Sequence, residues 1–106
     1  MSTPPNFDTS AGPGLPRFVL HGDWLVGAGA KLEETARALV KAAEGGKSAV
    51  LDLTGVGRLD TAGAWLLDRT RVQLTENGVA ASFSAARPEH ELLLREAHFQ
   101  IGRAHV

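Results

Sequence analysis

The sequence contains no cysteine, which excludes disulfide bonds and thiolate chemistry and suits a reducing cytoplasm. It also lacks an excess of charge of either sign, because 11 lysines and arginines stand against 12 aspartates and glutamates. The net charge of −1 gives no general attraction to nucleic acid or to an anionic membrane. No apolar run approaches the roughly 20 residues of a membrane span, and no signal peptide opens the chain. We therefore expect a domain that neither binds nucleic acid nor inserts directly into a membrane.

Proline is concentrated at the amino end, where residues 1–16 hold four of the five prolines in the chain. The large apolar residues in this stretch are few, chiefly Phe7 and Leu15, so we expect a flexible tail over residues 1–16. The remaining composition, within a total of 106 residues and 43% hydrophobic residues, suits one small domain over residues 17–99. Residues 100–106 follow the last predicted helix without a clear stop. We expect them to be a tail or the start of a linker.

Apolar periodicity from Arg17 onward predicts elements in the order β-β-α-β-α-β-α. Residues 18–20 and 24–26 are predicted to form a hairpin around a turn at residues 21–23. The first helix has an apolar stripe opposite a charged face, on which Glu33 and Arg37 have the spacing of an ion pair. The stripe contains Leu32, Ala36, Leu39, Val40 and Ala43. This alternation of strands and helices favours an α/β layer domain.

The stretch from Ala49 to Leu67 is the most informative part of the chain. It begins with a short apolar strand, which we predict to end at Gly55, and it continues through a tight loop into a helix. Asp60 suits the amino-terminal cap of that helix, because its carboxylate can accept hydrogen bonds from free backbone amides. The inward stripe of this helix is predicted to contain Gly63, Leu66, Leu67, Thr70 and Leu74. A last strand follows, and then a third helix from Pro88 to about Phe99.

Residues 50–63 read V-L-D-L-T-G-V-G-R-L-D-T-A-G and precede an apolar helix. This pattern resembles the core motif of the STAS domain, the fold of anti-sigma-factor antagonists and of sulfate-transporter tails. It is most similar to the branch that accompanies bacterial ABC lipid transporters of the Mla or toluene-tolerance type. The resemblance implies a STAS-like α/β fold, in which a four-stranded mixed sheet packs with about three helices.

The resemblance also implies a regulatory or docking role for the start of the second helix. In the anti-sigma-antagonist type, the phosphoacceptor hydroxyl immediately precedes the glycine, where this chain has Ala62. The hydroxyl one residue earlier, on Thr61, is the one typical of the lipid-transporter branch. Our candidate regulatory or docking residues are Arg58, Asp60, Thr61, Gly63, Trp65 and Arg69.

Each candidate also has a simpler structural interpretation. Asp60 and Thr61 can serve only as a helix cap, which is worth about 1 kcal/mol. Trp65 can lie over the sheet edge and complete a small core. A position one turn from Thr61 favours a docking role for Trp65, because tryptophan and arginine are common anchors of protein interfaces.

The expected function is that of a noncatalytic interaction module in an ABC lipid-transport system. The implied partners are the cytoplasmic ATP-binding subunit and the permease, and the permease can belong to the same chain. The implied location is the cytoplasm, at the cytoplasmic face of the inner membrane. The alternative is an anti-sigma-factor antagonist that binds a serine-kinase anti-sigma factor. Ala62 argues against this alternative, because a phosphorylation switch would need a hydroxyl at that position.

Other apparent motifs do not support cofactor, metal or catalytic chemistry. Gly46-Lys47-Ser48 copies the end of a phosphate-binding loop but precedes a strand instead of following one. The histidines lack metal-ligand spacing, and we expect His90 and His98 to be partly solvated helix residues. No serine lies in a nucleophile elbow. We therefore expect no cofactor, no metal and no enzymatic activity.

Overall fold

The computed structural model describes residues 3–10 and 16–104, with side chains described through residue 99. The strands are β1 (Asn6–Ser10), β2 (Arg17–Trp24), β3 (Ser48–Leu59) and β4 (Ala80–Ser84). The helices are α1 (Ala30–Ala42), α2 (Thr61–Glu76) and α3 (Pro88–Ala104), and a short 3₁₀ helix at Val26–Ala28 precedes α1. The order β-β-α-β-α-β-α confirms the predicted α/β fold.

The four strands form one mixed sheet in the order β1-β2-β3-β4. Strand β1 pairs antiparallel with β2, whereas the β2–β3 and β3–β4 pairs are parallel. Among the described residues, β1 and β4 are therefore the edge strands. Side chains along β2 alternate between buried and more exposed positions. Within the part of the chain that the structure describes, the helices cover one face of the sheet, and most side chains of the other, open face are more exposed.

The helices bury the apolar stripes that the sequence predicts. The inward positions of α2 are all buried, and those of α1 are buried except for Val40, which is partly buried. The buried strand residues that complete the core include Phe18, Leu20, Trp24, Leu51 and Leu53. Each fully buried side chain of this size contributes roughly 1.5–3 kcal/mol relative to exposure, so burial of these stripes holds α1 and α2 on the sheet. Among the described residues, no helix is long and apolar enough to cross a membrane.

The opening hairpin differs from the prediction. Residues 18–20 and 24–26 are not two strands around a turn, because residues 17–24 form the single strand β2. The antiparallel partner of β2 is β1, which lies in the segment expected to be a flexible tail. The order of elements was thus predicted correctly, but the first strand was placed too late in the chain.

Residues near the amino end pack against the domain, although their proline-rich composition predicts a flexible tail. Pro5 is buried, and the ring of Phe7 contacts that of Phe18 edge-on, with 6.1 Å between ring centroids. The expectation of a flexible tail is therefore wrong for residues 6–10, which form a paired strand. Residues 1–2 and 11–15, which include Leu15, lie outside the described residues.

Gly22 explains how this amino-terminal segment reaches the sheet. It is not the centre of a turn: a β-carbon at this position would lie 2.1 Å from the carbonyl oxygen of Pro4, so only glycine allows the two backbones to cross. The Asp23 amide donates to the Thr3 carbonyl at 2.9 Å, and the Thr3 amide donates to the Asp23 carboxylate at 3.0 Å. This hydrogen bond from Thr3, with further bonds from Arg58, lowers the pKa of Asp23 below its usual value.

Two predicted boundaries fall inside regular elements. Strand β3 does not end at Gly55 but continues to Leu59. A β-carbon at Gly55 would lie 2.6 Å from the Leu20 carbonyl oxygen, so this glycine permits close approach to β2 and does not form a turn. Helix α3 continues beyond Phe99 to Ala104, so the predicted end of the domain at residue 99 lies within a helix.

The two helical histidines differ from each other. His90 is buried, with 4% of its surface exposed, so the expectation that it is partly solvated is wrong. The imidazole of His98 is more exposed, and its Nδ1 atom lies 3.0 Å from a carboxylate oxygen of Asp68. This contact ties α3 to α2.

An ion pair lies on the open face of the sheet, between Arg17 on β2 and Asp52 on β3. Arg17 Nη1 donates to Asp52 Oδ2 at 2.7 Å, and both the amide and the hydroxyl of Thr54 donate to Asp52 Oδ1. Burial of Asp52 opposes its ionisation, but these hydrogen bonds and the charge of Arg17 outweigh that effect. They lower the pKa of Asp52 below its usual value.

Candidate functional site

Asp60 joins the start of α2 to the end of β2 and to the loop that follows. Its Oδ1 accepts a hydrogen bond from the Gly63 amide at 2.8 Å, which confirms the predicted helix cap. Its Oδ2 accepts a second hydrogen bond from the Val26 amide, also at 2.8 Å. The Asp60 amide donates to the Trp24 carbonyl at 3.3 Å. Both carboxylate oxygens are thus engaged, and Asp60 acts as a positioning residue.

Gly63 brings the first turn of α2 directly against β2. A β-carbon at this position would lie 1.9 Å from the Trp24 carbonyl oxygen and 2.7 Å from the carbonyl carbon. Real β-carbons do not approach backbone atoms this closely, so Gly63 serves packing and offers no side chain to a partner. Asp60 and Gly63 together make the start of α2 a rigid part of the fold.

Trp65 lies on the outer side of α2, with 40% of its surface exposed. The guanidinium carbon of Arg69 is 5.3 Å from the ring centroid of Trp65, within the range of a cation–π contact. Arg69 is held in turn by Glu33 of α1, because its Nη2 atom donates to both carboxylate oxygens at 2.8 and 2.9 Å. The predicted pairing of Glu33 with Arg37 is therefore replaced by one that links α1 to α2. The Trp65 ring is therefore held by Arg69, which is fixed in turn by an ion pair with α1.

An open cavity of about 570 Å³ lies beside this ring, and its lining includes Asp60. The other lining residues, Val26, Thr61, Ala62 and Trp65, form what we call the Trp65 surface. Val26 is 69% exposed and adds apolar area next to the Trp65 ring. Among the described residues, the Thr61 hydroxyl makes no side-chain hydrogen bond. The Trp65 surface thus combines exposed apolar area with one available hydroxyl.

The structure brings the predicted site residues together only in part. Asp60, Thr61 and Trp65 line one cavity, and Arg69 stands over Trp65. Arg58 is engaged elsewhere: its amide and its guanidinium donate to the carboxylate of Asp23, at 3.0 and 3.3 Å. Arg58 does not line the cavity.

Val26 is the residue that the sequence analysis missed. It was assigned to a predicted strand, which would have hidden its side chain, whereas it begins the short 3₁₀ helix after β2. The glycines at positions 27 and 29 were a signal against a strand that extends through this segment.

The chemistry available at this site is that of contact and hydrogen bonding. Its polar groups are one carboxylate, which is already engaged, and one hydroxyl without an adjacent base. Across the part of the chain that the structure describes, no group of three or more histidine, cysteine, aspartate or glutamate residues could hold a metal ion.

The mixed sheet and the helices packed on it define a small α/β domain, in which the start of α2 carries exposed side chains. The STAS domain model matches residues 28–101, most of the chain, and the protein belongs to the STAS domain family. Domains of this family are in general noncatalytic regulatory or interaction modules. A comparison with curated proteins finds no match.

Proposed function

We propose that this STAS domain is the interaction module of a bacterial ABC lipid-transport system, and that it docks on the cytoplasmic ATP-binding subunit through the Trp65 surface. Docking would stabilise or regulate the assembly of that subunit with the permease, at the cytoplasmic face of the inner membrane. The observation that carries the proposal is the exposed Trp65 ring at the rigid start of α2, beside exposed Val26 and the available Thr61 hydroxyl.

The physical argument begins with the cost of ordering an interface. A side chain that is already fixed loses little conformational freedom on binding, so most of its buried area contributes to affinity. Trp65 is held by Arg69, which is held by Glu33, and Thr61 begins a helix whose first turn is fixed by Asp60. Tryptophan and arginine are also the residue types most often found at energetically dominant positions of interfaces.

Ala62 favours a transporter partner over the alternative of an anti-sigma factor. A serine-kinase partner acts on a hydroxyl, and at the position where the resemblance places that hydroxyl the chain has a partly buried alanine. Thr61, one residue earlier, is exposed and matches the pattern of the lipid-transporter branch. The sequence of this loop therefore supports docking without a phosphorylation switch at residue 62.

The test is a titration of the purified chain against the cognate ATP-binding subunit of the transporter. We expect Trp65→Ala to weaken binding by about 30-fold or more, because truncation of a buried interfacial tryptophan commonly costs at least about 2 kcal/mol. Thr61→Ala should have a smaller effect. Thr61→Glu should weaken binding more than Thr61→Ala, because the new carboxylate would be desolvated close to Asp60.

Leu92→Ala is the matched control, since Leu92 is 66% exposed on α3 and lies outside the Trp65 surface. Circular dichroism checks that each variant is folded. If Trp65→Ala and both Thr61 variants bind like the wild type, the docking surface is elsewhere. If the wild-type chain fails to bind the ATP-binding subunit but binds a serine-kinase anti-sigma factor, the alternative function is the correct one.

A further inference from the structure

A second cavity, of about 580 Å³, lies between α2, the end of β4 and α3. It shares no lining residue with the cavity at the Trp65 surface. Its volume is within the range of small-molecule sites, and its walls combine apolar side chains with a few convergent polar groups. Phe83 of β4 and Leu94 of α3 supply the apolar part. This groove is not used by the proposed docking function.

Asp68 fixes the positions of polar side chains in the groove. Its side chain is 2% exposed, and its carboxylate is held by two groups on different helices. Arg71 Nε donates to Oδ1 at 3.0 Å, and His98 Nδ1 lies 3.0 Å from Oδ2. Arg71 Nη2 also lies 2.9 Å from His98 Nδ1. The buried carboxylate thus fixes Arg71 and His98 side by side.

Donor groups remain available in the groove after these contacts are made. Within the described residues, Arg71 Nη1 and His98 Nε2 make no hydrogen bond, although both side chains line the cavity. The acidic groups are already satisfied: Asp68 by Arg71 and His98, and Glu91 by Arg95, whose Nη2 donates at 3.0 Å. The unused donor capacity is therefore that of the Arg71 guanidinium, which has donors only, whereas the role of His98 Nε2 depends on the tautomer of the ring.

Ser84 and Ala85, at the end of β4, line the groove beside Phe83. Ser84 pairs with Asp52 and Phe83 pairs with Leu51, so the Ser84 side chain lies on the open face of the sheet, opposite the Phe83 ring. Its buried Oγ atom, which makes no hydrogen bond with any residue that the structure describes, is therefore not a donor to the groove. The next residue, Ala85, has φ of +59°, a conformation that residues with a β-carbon rarely adopt.

We propose that this groove binds a small organic anion, a carboxylate or a phosphate monoester carried on an apolar or aromatic body. The anionic oxygens accept hydrogen bonds from Arg71 Nη1, and the guanidinium of Arg95 and the ring of His98 line the same groove. The apolar body lies against Phe83 and Leu94. Arg71 suits this role because its guanidinium is already oriented by Asp68 and by the Phe83 ring, whose centroid is 6.0 Å from the guanidinium carbon.

The test is an NMR titration of the ¹⁵N-labelled chain with phenyl phosphate, benzoate, inorganic phosphate and benzylammonium. We expect phenyl phosphate or benzoate to give saturable shifts at residues 83–86 and at His98. Benzylammonium has the same body with the opposite charge and should give none. Shifts of the same residues by benzylammonium, or no shift with either aromatic anion, would contradict the proposal. Equal affinity for inorganic phosphate and phenyl phosphate would contradict the proposed contact of an apolar body with Phe83 and Leu94.

Two variants test the assigned groups. Phe83→Leu removes the ring that lies against the apolar body of the ligand and should weaken the binding of phenyl phosphate about three- to tenfold. Arg71→Lys keeps a positive charge beside Asp68 but removes the planar fork, and should weaken binding about tenfold. Arg37→Gln, which removes an exposed charge on α1 outside the groove, should bind like the wild type. If both groove variants also bind like the wild type, the anion site is not where we place it.

Discussion

The α-carbon of Gly63 lies against the carbonyl group of Trp24, so close that any β-carbon at position 63 would overlap it. At this point the end of β2 and the first turn of α2 therefore meet through backbone atoms. A larger residue at position 63 would move the start of α2, and Thr61 and Trp65 would move with it.

Gly63→Ala should accordingly destabilise the fold by about 1–3 kcal/mol, the usual cost of forcing an extra methyl group into a filled space. Alanine is favoured over glycine in a helix by about 1 kcal/mol, so a loss would show that the clash outweighs helix propensity. Urea unfolding followed by circular dichroism measures the change. Gly27→Ala is the control, because a β-carbon there meets no atom within 4 Å. Equal midpoints for the two variants would argue against the close contact.

Strand β1 should contribute to stability although its sequence resembles that of a tail. Deletion of residues 1–10 removes the backbone pairing with β2 and exposes the ring of Phe18, so we expect a loss of about 2–4 kcal/mol. Phe7→Ala should reproduce part of this loss, and Thr9→Ala, at an exposed position of the same strand, should have little effect. Thermal unfolding monitors all three. If the shortened chain melts at the wild-type temperature, β1 is not a stable part of the domain.

Glu33 should control the mobility of Trp65 through Arg69. Glu33→Gln weakens the contact that holds the guanidinium over the ring, so we expect stronger quenching of tryptophan fluorescence by acrylamide. Trp24 is fully buried and should contribute little to this change. The loss of stability should stay below about 1 kcal/mol, because both partners of the ion pair are partly exposed. Glu34→Gln, on the exposed side of α1, serves as the control, and identical quenching of the two variants would refute the coupling.

Acid should weaken the fold partly through Asp52. Because folding lowers the pKa of this carboxyl, its contribution is fully present above the unfolded value of about 4 and is lost as the pH falls through the lower folded value. Asp52→Asn should therefore reduce stability at neutral pH and flatten the decline of stability below about pH 4. Urea unfolding at a series of pH values measures both effects. Parallel pH profiles for the variant and the wild type would exclude this role for Asp52.

The helices were predictable because their signals are local. The stripe from Leu32 to Ala43 and the one from Gly63 to Leu74 repeat with the period of a helix, and burial then follows from the pattern. Strand β1 has no such signal, since Phe7 is the only large apolar residue in it. Its pairing depends on Gly22 and on the contact between Thr3 and Asp23, which lie far apart in sequence.

The features of the candidate site were likewise predictable where their signal is local, and not where they depend on distant segments. The cap at Asp60 follows from its position at a helix start and was predicted, and the docking role suggested for Trp65 requires the partial exposure that the structure shows. Val26 lies in a short 3₁₀ helix, and its amide bonds to Asp60, 34 residues later. The support of Arg69 by Glu33 connects two helices, whereas the sequence offered a nearer partner on the same helix. Contacts of this kind arise only when distant segments fold together.

The two edges of the sheet differ in how they would meet another strand. Edge β1 carries Asp8, whose carboxylate is paired with His21 of the neighbouring strand at 2.8 Å. Edge β4 has the sequence Ala-Ala-Ser-Phe-Ser, with no charge and no proline. Charged residues and prolines are the usual protection of open edges against unwanted pairing. In concentrated solution, strand addition and aggregation should therefore begin at β4, and a lysine placed there would be the most direct protection.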